Sequence, residues 1–389
     1  MDILVIWLLI TPLFFAFGWI AGRIDMKVVL RQAKQLPQRV FDGIDALVEN
    51  KTGTATDELK EVIEQEPQLI DIQFSLGKLY RKRGENDLAI KLHSKLLTSQ
   101  YIFSNSNKDK ARLELAQDFQ KAGLIDRAEE ILLKLLNSEM YSHQALQMLL
   151  LIYQQDKNWT DAIDTAKKLS SSDFSFHIEV AQFNCELAQE AIIKSDHERA
   201  EKHVLIALET NRKCVRANML LGEVYFNLED YKNAIDIWQL IEKQNFHYLP
   251  LIIEKMFDAY LRLNKLKECL TLIKGYVHLY PTLNMHDFIY QKLSSYDTAE
   301  ATIDYLRNSM INAPSSKTAA LLIEARLSSL ASTDGRNDAE RVKNLLLKYN
   351  ERLSFYRCGC CNFKSKTFFW QCPACYSWES ISPNNIEAH

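Results

Sequence analysis

Glycine and proline are both scarce in this chain of 389 residues, at 11 and 8. Glycine is thus roughly 3% of the residues, against about 7% in an average protein. These two residues interrupt helices most strongly, so their shortage points to long runs of α-helix. An excess of charge is lacking as well, since 47 Lys and Arg face 50 Asp and Glu. No global basic field exists to hold nucleic acid. Catalytic signatures are also missing. His197-Glu198 does not open an H-E-x-x-H, because the next histidine is His203. No phosphate loop, G-x-G-x-x-G or nucleophile elbow occurs either. The chain reads as a protein that is not an enzyme.

Charge is absent altogether from Ile3 to Gly22. Twenty helical residues span about 30 Å, the thickness of a bilayer's hydrocarbon core. A cleaved signal peptide would want a basic start, but the chain begins Met1-Asp2. The expectation is therefore an uncleaved transmembrane anchor over 1–22. Arg23, Lys27, Arg31, Lys34 and Arg39 follow it in a basic segment, 23–39, opposed only by Asp25. The positive-inside rule then puts the rest of the chain in the cytoplasm. Gly18 and Gly22 form a G-x-x-x-G pair that would let a second membrane helix approach.

From 40 to 350 the sequence repeats. A column of small residues runs Ala89, Ala128, Ala162, Ala200, Ala234, Cys269. A second, twelve residues upstream, runs Gly77, Ala116, Leu150, Ala188, Gly222, Phe257. The recurring step of 34 is the tetratricopeptide period: helix A, a turn, helix B. Closely crossing helices demand small side chains at the contact. Gly84 and Gly123 suit the inter-helix turn. SNSNKD (104–109) reads as a loop between repeats, while 41–70 and 286–350 match the pattern only weakly. Cys185, Cys214 and Cys269 read as buried small residues rather than nucleophiles.

Such a solenoid offers a groove lined by its A helices. Positions four and seven apart select Phe74, Lys78 and Arg81, then Leu113, Gln117 and Gln120. The next repeat gives Gln147, Leu151 and Gln154, and a later one Met219, Glu223 and Phe226. The mixture of amide, charged and apolar groups suits a protein partner.

Five of the eight cysteines crowd into residues 358–375. Cys358-x-x-Cys361 and Cys372-x-x-Cys375 have the spacing of two metal knuckles in a reducing compartment, a site for one zinc or iron ion in the domain 351–389. Cys360 breaks the spacing and reads as a non-ligand. Asn362, in the place that favours glycine, must turn left-handed. Trp370, Phe363 and Trp378 are expected to cover the site and dock it on the last helices. A tetrathiolate iron could carry an electron, so a rubredoxin-type electron carrier is the alternative function.

The order of parts matters: the run ending Gly18-Trp19-x-x-Gly22-Arg23, the repeats with LGKLYRKRGENDLAIKLH (76–93), then Tyr356-x-Cys358-x-x-Cys361-x-Phe363 and WQCPACYSW (370–378). Together they resemble the lipopolysaccharide assembly protein B family of Gram-negative inner membranes, over essentially the whole chain. The resemblance implies an all-α tetratricopeptide-repeat solenoid with an N-terminal transmembrane helix and a small C-terminal rubredoxin-like, zinc-ribbon domain. It implies metal ligands at Cys358, Cys361, Cys372 and Cys375. It also implies a non-enzymatic regulator that promotes turnover of the deacetylase committing flux to lipid A, together with the membrane-bound AAA+ zinc protease. Gathering of other lipopolysaccharide synthesis or transport proteins at the inner membrane is a further implied role. Asn362 and the extra Cys360 depart from the family pattern.

Overall fold

Between the two helices of each repeat the backbone passes through a left-handed residue, with the period read from the sequence. The computed structural model describes residues 38–99, 104–170, 176–283, 285–312, 314–327, 333–353 and 355–383. Its turn residues are Gly84, Gly123, Lys157, Ser195, Glu229 and Asn264, with φ between 56° and 82°. After each, the next amide returns to a carbonyl five residues back. The amides of Glu85, Leu124, Asn158, Asp196, Asp230 and Lys265 reach Tyr80, Phe119, Tyr153, Ala191, Tyr225 and Tyr260, each at 2.9 Å. This is the Schellman closure of a helix C-terminus. Only two of the six are glycine. The other four hold a conformation that costs an L-residue roughly 1–2 kcal/mol, so the closure must outweigh it.

The helices it joins are α1 (Gln38–Val48), α2 (Thr52–Gln65), α3 (Ile70–Arg83), α4 (Asn86–Leu97), α5 (Asn105–Lys121), α6 (Ile125–Leu135) and α7 (Ser142–Gln155). They continue with α8 (Trp159–Ser170), α9 (His177–Ile193), α10 (His197–Thr210), α11 (Val215–Asn227), α12 (Tyr231–Asn245), α13 (Leu249–Arg262) and α14 (Leu266–Leu279). A 3-10 turn, Phe246–Tyr248, precedes α13. Then come α15 (His286–Tyr296), α16 (Ala299–Asn312), α17 (Ser316–Leu327) and α18 (Thr333–Leu353). The chain divides into two compact units, ending at Ile152 and beginning at Tyr153.

The weakly matching segment at 41–70 carries the same pattern. Gly43, Asn50 and Ala55 stand in the two small columns and the turn position, with Asn50 at φ 59° and Ala55 fully buried. Ala55 to Ala89 is again 34 residues. It ends at α15 and α16, whose junction residue Asp297 has φ −124°. SNSNKD is not a loop. Ser104 caps α5 by accepting from the Asn107 amide at 3.1 Å, and Asn105 starts the helix.

A third column explains the first two. Sixteen residues after each A-helix small position lies a B-helix partner, and opposite the glycines that partner fills the space a Cβ would take. Gly43 faces Leu59, Gly77 faces His93 and Gly222 faces Trp238. A Cβ on Gly77 would come within 2.3 Å of His93 Nε2, and one on Gly222 within 2.2 Å of Trp238 Nε1. His93 and Trp238 have no exposed surface, and Trp238 Nε1 is held by the Met219 carbonyl at 3.1 Å. Where alanine stands in the column, at 116 and 188, the residues sixteen later are Leu132 and Val204, both fully buried.

The expected anchor over 1–22, Gly18 and Gly22, and residues 23–37 of the basic segment lie outside the described residues. Arg39 belongs to α1. No helix among the described residues is long and apolar enough to cross a membrane.

Replacing Gly222 or Gly77 by alanine is expected to destabilise the protein by about 1–3 kcal/mol through overpacking. Gly275→Ala, in mid-helix with nothing within 4 Å of the new Cβ, should instead stabilise it by about 0.5–1 kcal/mol. Thermal unfolding midpoints of the three variants check the order.

Candidate metal centre and partner cleft

The C-terminal segment builds the same loop twice. In the first, the Cys358 amide donates to Phe363 O at 2.9 Å and the Asn362 amide to Cys358 O at 3.1 Å. In the second, the Cys372 amide donates to Ser377 O at 2.9 Å and the Tyr376 amide to Cys372 O at 2.8 Å. Each loop turns left-handed at the residue after its second cysteine, Asn362 at φ 61° and Tyr376 at φ 58°. The turn at Asn362 is held by Arg357, whose Nε and Nη2 donate to Asn362 Oδ1 at 3.1 and 2.8 Å. Two short antiparallel strands, β1 (Tyr356–Arg357) and β2 (Lys364–Ser365), close the first loop. Ile381, Phe363, Tyr356 and Phe368 supply its small apolar core.

The loops bring four sulfurs together. Cys358 and Cys375 lie 3.8 Å apart, and Cys361 and Cys372 3.7 Å. All four sulfurs, with those of the other pairings, fall within 4.8 Å of one another. A tetrahedron with metal–sulfur bonds of about 2.3 Å has edges of about 3.8 Å, whereas a disulfide would need about 2.05 Å. The donor set therefore fits one zinc or iron ion. Cys360 is exposed and outside the set.

Backbone amides already point at these sulfurs. Burial works against ionisation at Cys358, but the Ser380 hydroxyl and the amides of Cys361 and Cys360 outweigh it and lower that thiol to about 6. Cys375 is lowered by the Ser377 hydroxyl and amide. The Phe363 amide favours the Cys361 thiolate, yet loss of water and the neighbouring sulfurs push this thiol up to about 12. Burial raises Cys372. A bound metal cation would replace the protons retained on the second pair.

Docking of this domain differs from the sequence expectation. Its tryptophans pack on the middle repeats, while Lys366 reaches the last helix, α18, at the Glu351 carbonyl. Trp370 stacks on Tyr248, with ring centres 5.2 Å apart and planes 5° from parallel. Trp378 meets Trp159 and Phe183 edge-on at 6.1 and 6.0 Å. Arg216 of α11 sits between, 5.4 Å from the Trp370 ring and 6.0 Å from Trp378. Glu186 at 2.8 Å and Gln182 Oε1 at 3.2 Å hold its guanidinium. Gln182 Nε2 donates to Glu379 at 2.6 Å. Phe363 stays in the domain's own core. Arg216 escaped the sequence reading; the available signal was an arginine in the mostly apolar first half of α11, in a chain with a tryptophan-rich terminus.

Docking also covers part of the expected groove. Gln154 Oε1 accepts from Gln371 Nε2 at 2.8 Å and Trp378 Nε1 at 3.4 Å. Glu223 pairs with Lys255 at 2.8 Å, and Phe226 packs on Tyr231 and Trp238. In the first unit Phe74 is buried, 2% exposed, so it is a core residue. Lys110 Nζ lies 4.4 Å from its ring centre. Gln120 is half-buried.

Lys78, Arg81, Gln117 and Leu151 do converge, with Leu113 and Gln147, on one cleft of about 680 Å³. Arg81 forms its base. Its guanidinium donates to Glu114 Oε2 at 2.7 Å, Asp118 Oδ1 at 2.6 Å and Gln117 Oε1 at 2.8 Å. Asp118 in turn meets His93 Nδ1 at 2.5 Å, both fully buried. Burial works against Glu114, but Arg81 and Lys78 outweigh it and hold the carboxyl below its usual range. Arg81 is thus committed inside the protein. Half-exposed Lys78, 2.9 Å from Glu114, remains at the cleft mouth.

Fold and site together define a tetratricopeptide protein closed by a rubredoxin-type metal-binding domain. Residues 185–245 match a family described as tetratricopeptide repeat, and 356–383 one described as rubredoxin metal binding domain. Along 96% of its length the chain is similar to lipopolysaccharide assembly protein B of Escherichia coli (strain K12), with 25% identity and 97% of that protein covered. Lipopolysaccharide assembly protein B of Haemophilus influenzae is 28% identical over 98% of both chains. A solved tetratricopeptide repeat protein from Parabacteroides merdae aligns with 79% of this chain and 98% of its own, at 14% identity and TM-score 0.28.

One metal per chain is expected, retained by Cys360→Ser and lost by Cys372→Ser, as read by elemental analysis. Loading the metal-free protein at pH 7.5 should release about two to three protons, because the raised thiols are still protonated there. Affinity should therefore fall as pH falls. Calorimetry in buffers of different ionisation enthalpy measures both.

Proposed function

We propose that this chain is a non-enzymatic adaptor at the inner membrane that regulates lipopolysaccharide biosynthesis. In this reading it promotes destruction of the lipid A-committing deacetylase by the membrane AAA+ protease, and it also gathers lipopolysaccharide synthesis enzymes. Similarity to lipopolysaccharide assembly protein B over nearly the full length supports the pathway. The uncharged run at 3–22 supports the membrane. Confinement to the plane that holds the protease raises the effective concentration of one for the other.

The observation that carries the adaptor role is the cleft of the first unit. Its amides, Gln117, Gln144 and Gln147, can pair with the backbone of an extended segment. Leu113, Met148 and Leu151 offer apolar contacts beside them, and Lys78 and Lys110 offer positive charge. This is the chemistry of a peptide groove.

Leu151→Arg with Gln147→Glu alters the cleft without touching the Arg81 network. Cells carrying the double variant should degrade the deacetylase several-fold more slowly, as followed by its decay after translation is blocked. An unchanged half-life, at normal levels of the variant, would remove the cleft from the mechanism.

A further inference from the structure

Helix α1 carries apolar side chains on two faces, and the first repeat uses only one. Val40, Gly43 and Ala46 are buried. Gly43 brings α1 so close to α2 that a Cβ there would lie 3.1 Å from Leu59 Cδ2. Arg39 is turned to this side as well, pairing with Glu58 at 3.9 Å and with Glu61. The second face is bare. Phe41, Ile44 and Val48 are 48%, 47% and 78% exposed, with Leu47 at its edge. Spaced three and four apart, they form one ridge about 10 Å long.

We propose that this ridge lies against the lipid bilayer as an interfacial contact and sets how the repeats face the membrane. The inference rests on the membrane-anchored reading above. Only residues 23–37 separate the uncharged run from α1. Fifteen residues span about 22 Å as helix and about 50 Å fully extended, so the ridge is never far from the surface. Arg23, Lys27, Arg31 and Lys34, against Asp25 alone, give this link a net charge of +3. Anionic headgroups draw such a segment inward.

A second copy of the chain fits the ridge less well. Three side chains on an eleven-residue helix fall short of the roughly 800 Å² per partner that a stable interface buries. Asp42, Asp45 and Glu49 share a flank of α1 and would stay in water. With acids on that flank, the ridge would bind a membrane weakly by itself. Tethering makes the contact intramolecular, so a small apolar area is enough to bias orientation.

The test places a photoreactive benzoylphenylalanine at Ile44, at Val48 or, as control, at exposed Lys60 of α2. The full chain is reconstituted in vesicles of phosphatidylethanolamine and phosphatidylglycerol, floated on a density gradient, and illuminated. Lipid adducts at 44 and 48 should exceed those at 60 by about tenfold or more. The serine variants of Phe41 and Val48 together should remove most of the adduct at 44. Flotation with equal adduct at all three positions, or with none, overturns the proposal and leaves the anchor reading standing. Cross-linked dimers in place of lipid adducts also overturn it. A chain that does not float overturns both.

Discussion

The close crossing of helices A and B is the constraint on which the rest depends. It is set where an A-helix position and the B-helix residue sixteen later share one volume. His93 and Trp238 fill that space opposite glycine, and Leu132 and Val204 fill it opposite alanine. Interiors are packed to crystal-like density, so a methyl added opposite His93 or Trp238 has no room. The Schellman closure then fixes the angle at which helix B returns. With both conditions met, the A helices present their polar residues on one side, and the cleft of the first unit and the platform for the metal domain both follow.

Among the described residues, the buried carboxylates and the buried arginine lie at these two places. In the first unit Arg81, Glu114, Asp118 and His93 link α3, α4 and α5 beneath the cleft. In the second, Arg216 with Gln182 and Glu186 joins α9 to α11 beneath the two tryptophans. Removing one member of such a network strands the others without water, which makes it costly to alter and fixes geometry more than it adds stability. The first lies under the proposed partner cleft and the second under the docked metal domain.

Much of this was legible in the chain. The small columns showed the period because a close crossing tolerates few residue types, and the paired C-x-x-C spacing showed the four sulfurs because a knuckle is a local structure. Left-handed turns at Lys157, Ser195 and Glu229 were not legible, since nothing in those side chains favours that conformation; tertiary closure imposes it. The first repeat matched only weakly because Gly43 and Ala55 sit among ordinary helix formers. Docking of the metal domain was invisible for a different reason. Periodicity tells which face of a helix is buried, but not which distant segment covers it, so Gln154 looked like groove and proved to be platform. Phe74 fell to the same limit: spacing put it on the inner face, and only the packed neighbours show it to be core.

The position of that platform has a consequence for how the molecule is made. Trp370 and Trp378 follow in sequence the residues they cover, Tyr248 and Trp159, by 122 and 219 residues. Until these tryptophans are made and the sulfurs hold their ion, the surface around Arg216 waits uncovered. A chain cut before Trp370 would thus leave the Tyr248 and Trp159 rings and the Arg216 guanidinium without their cover.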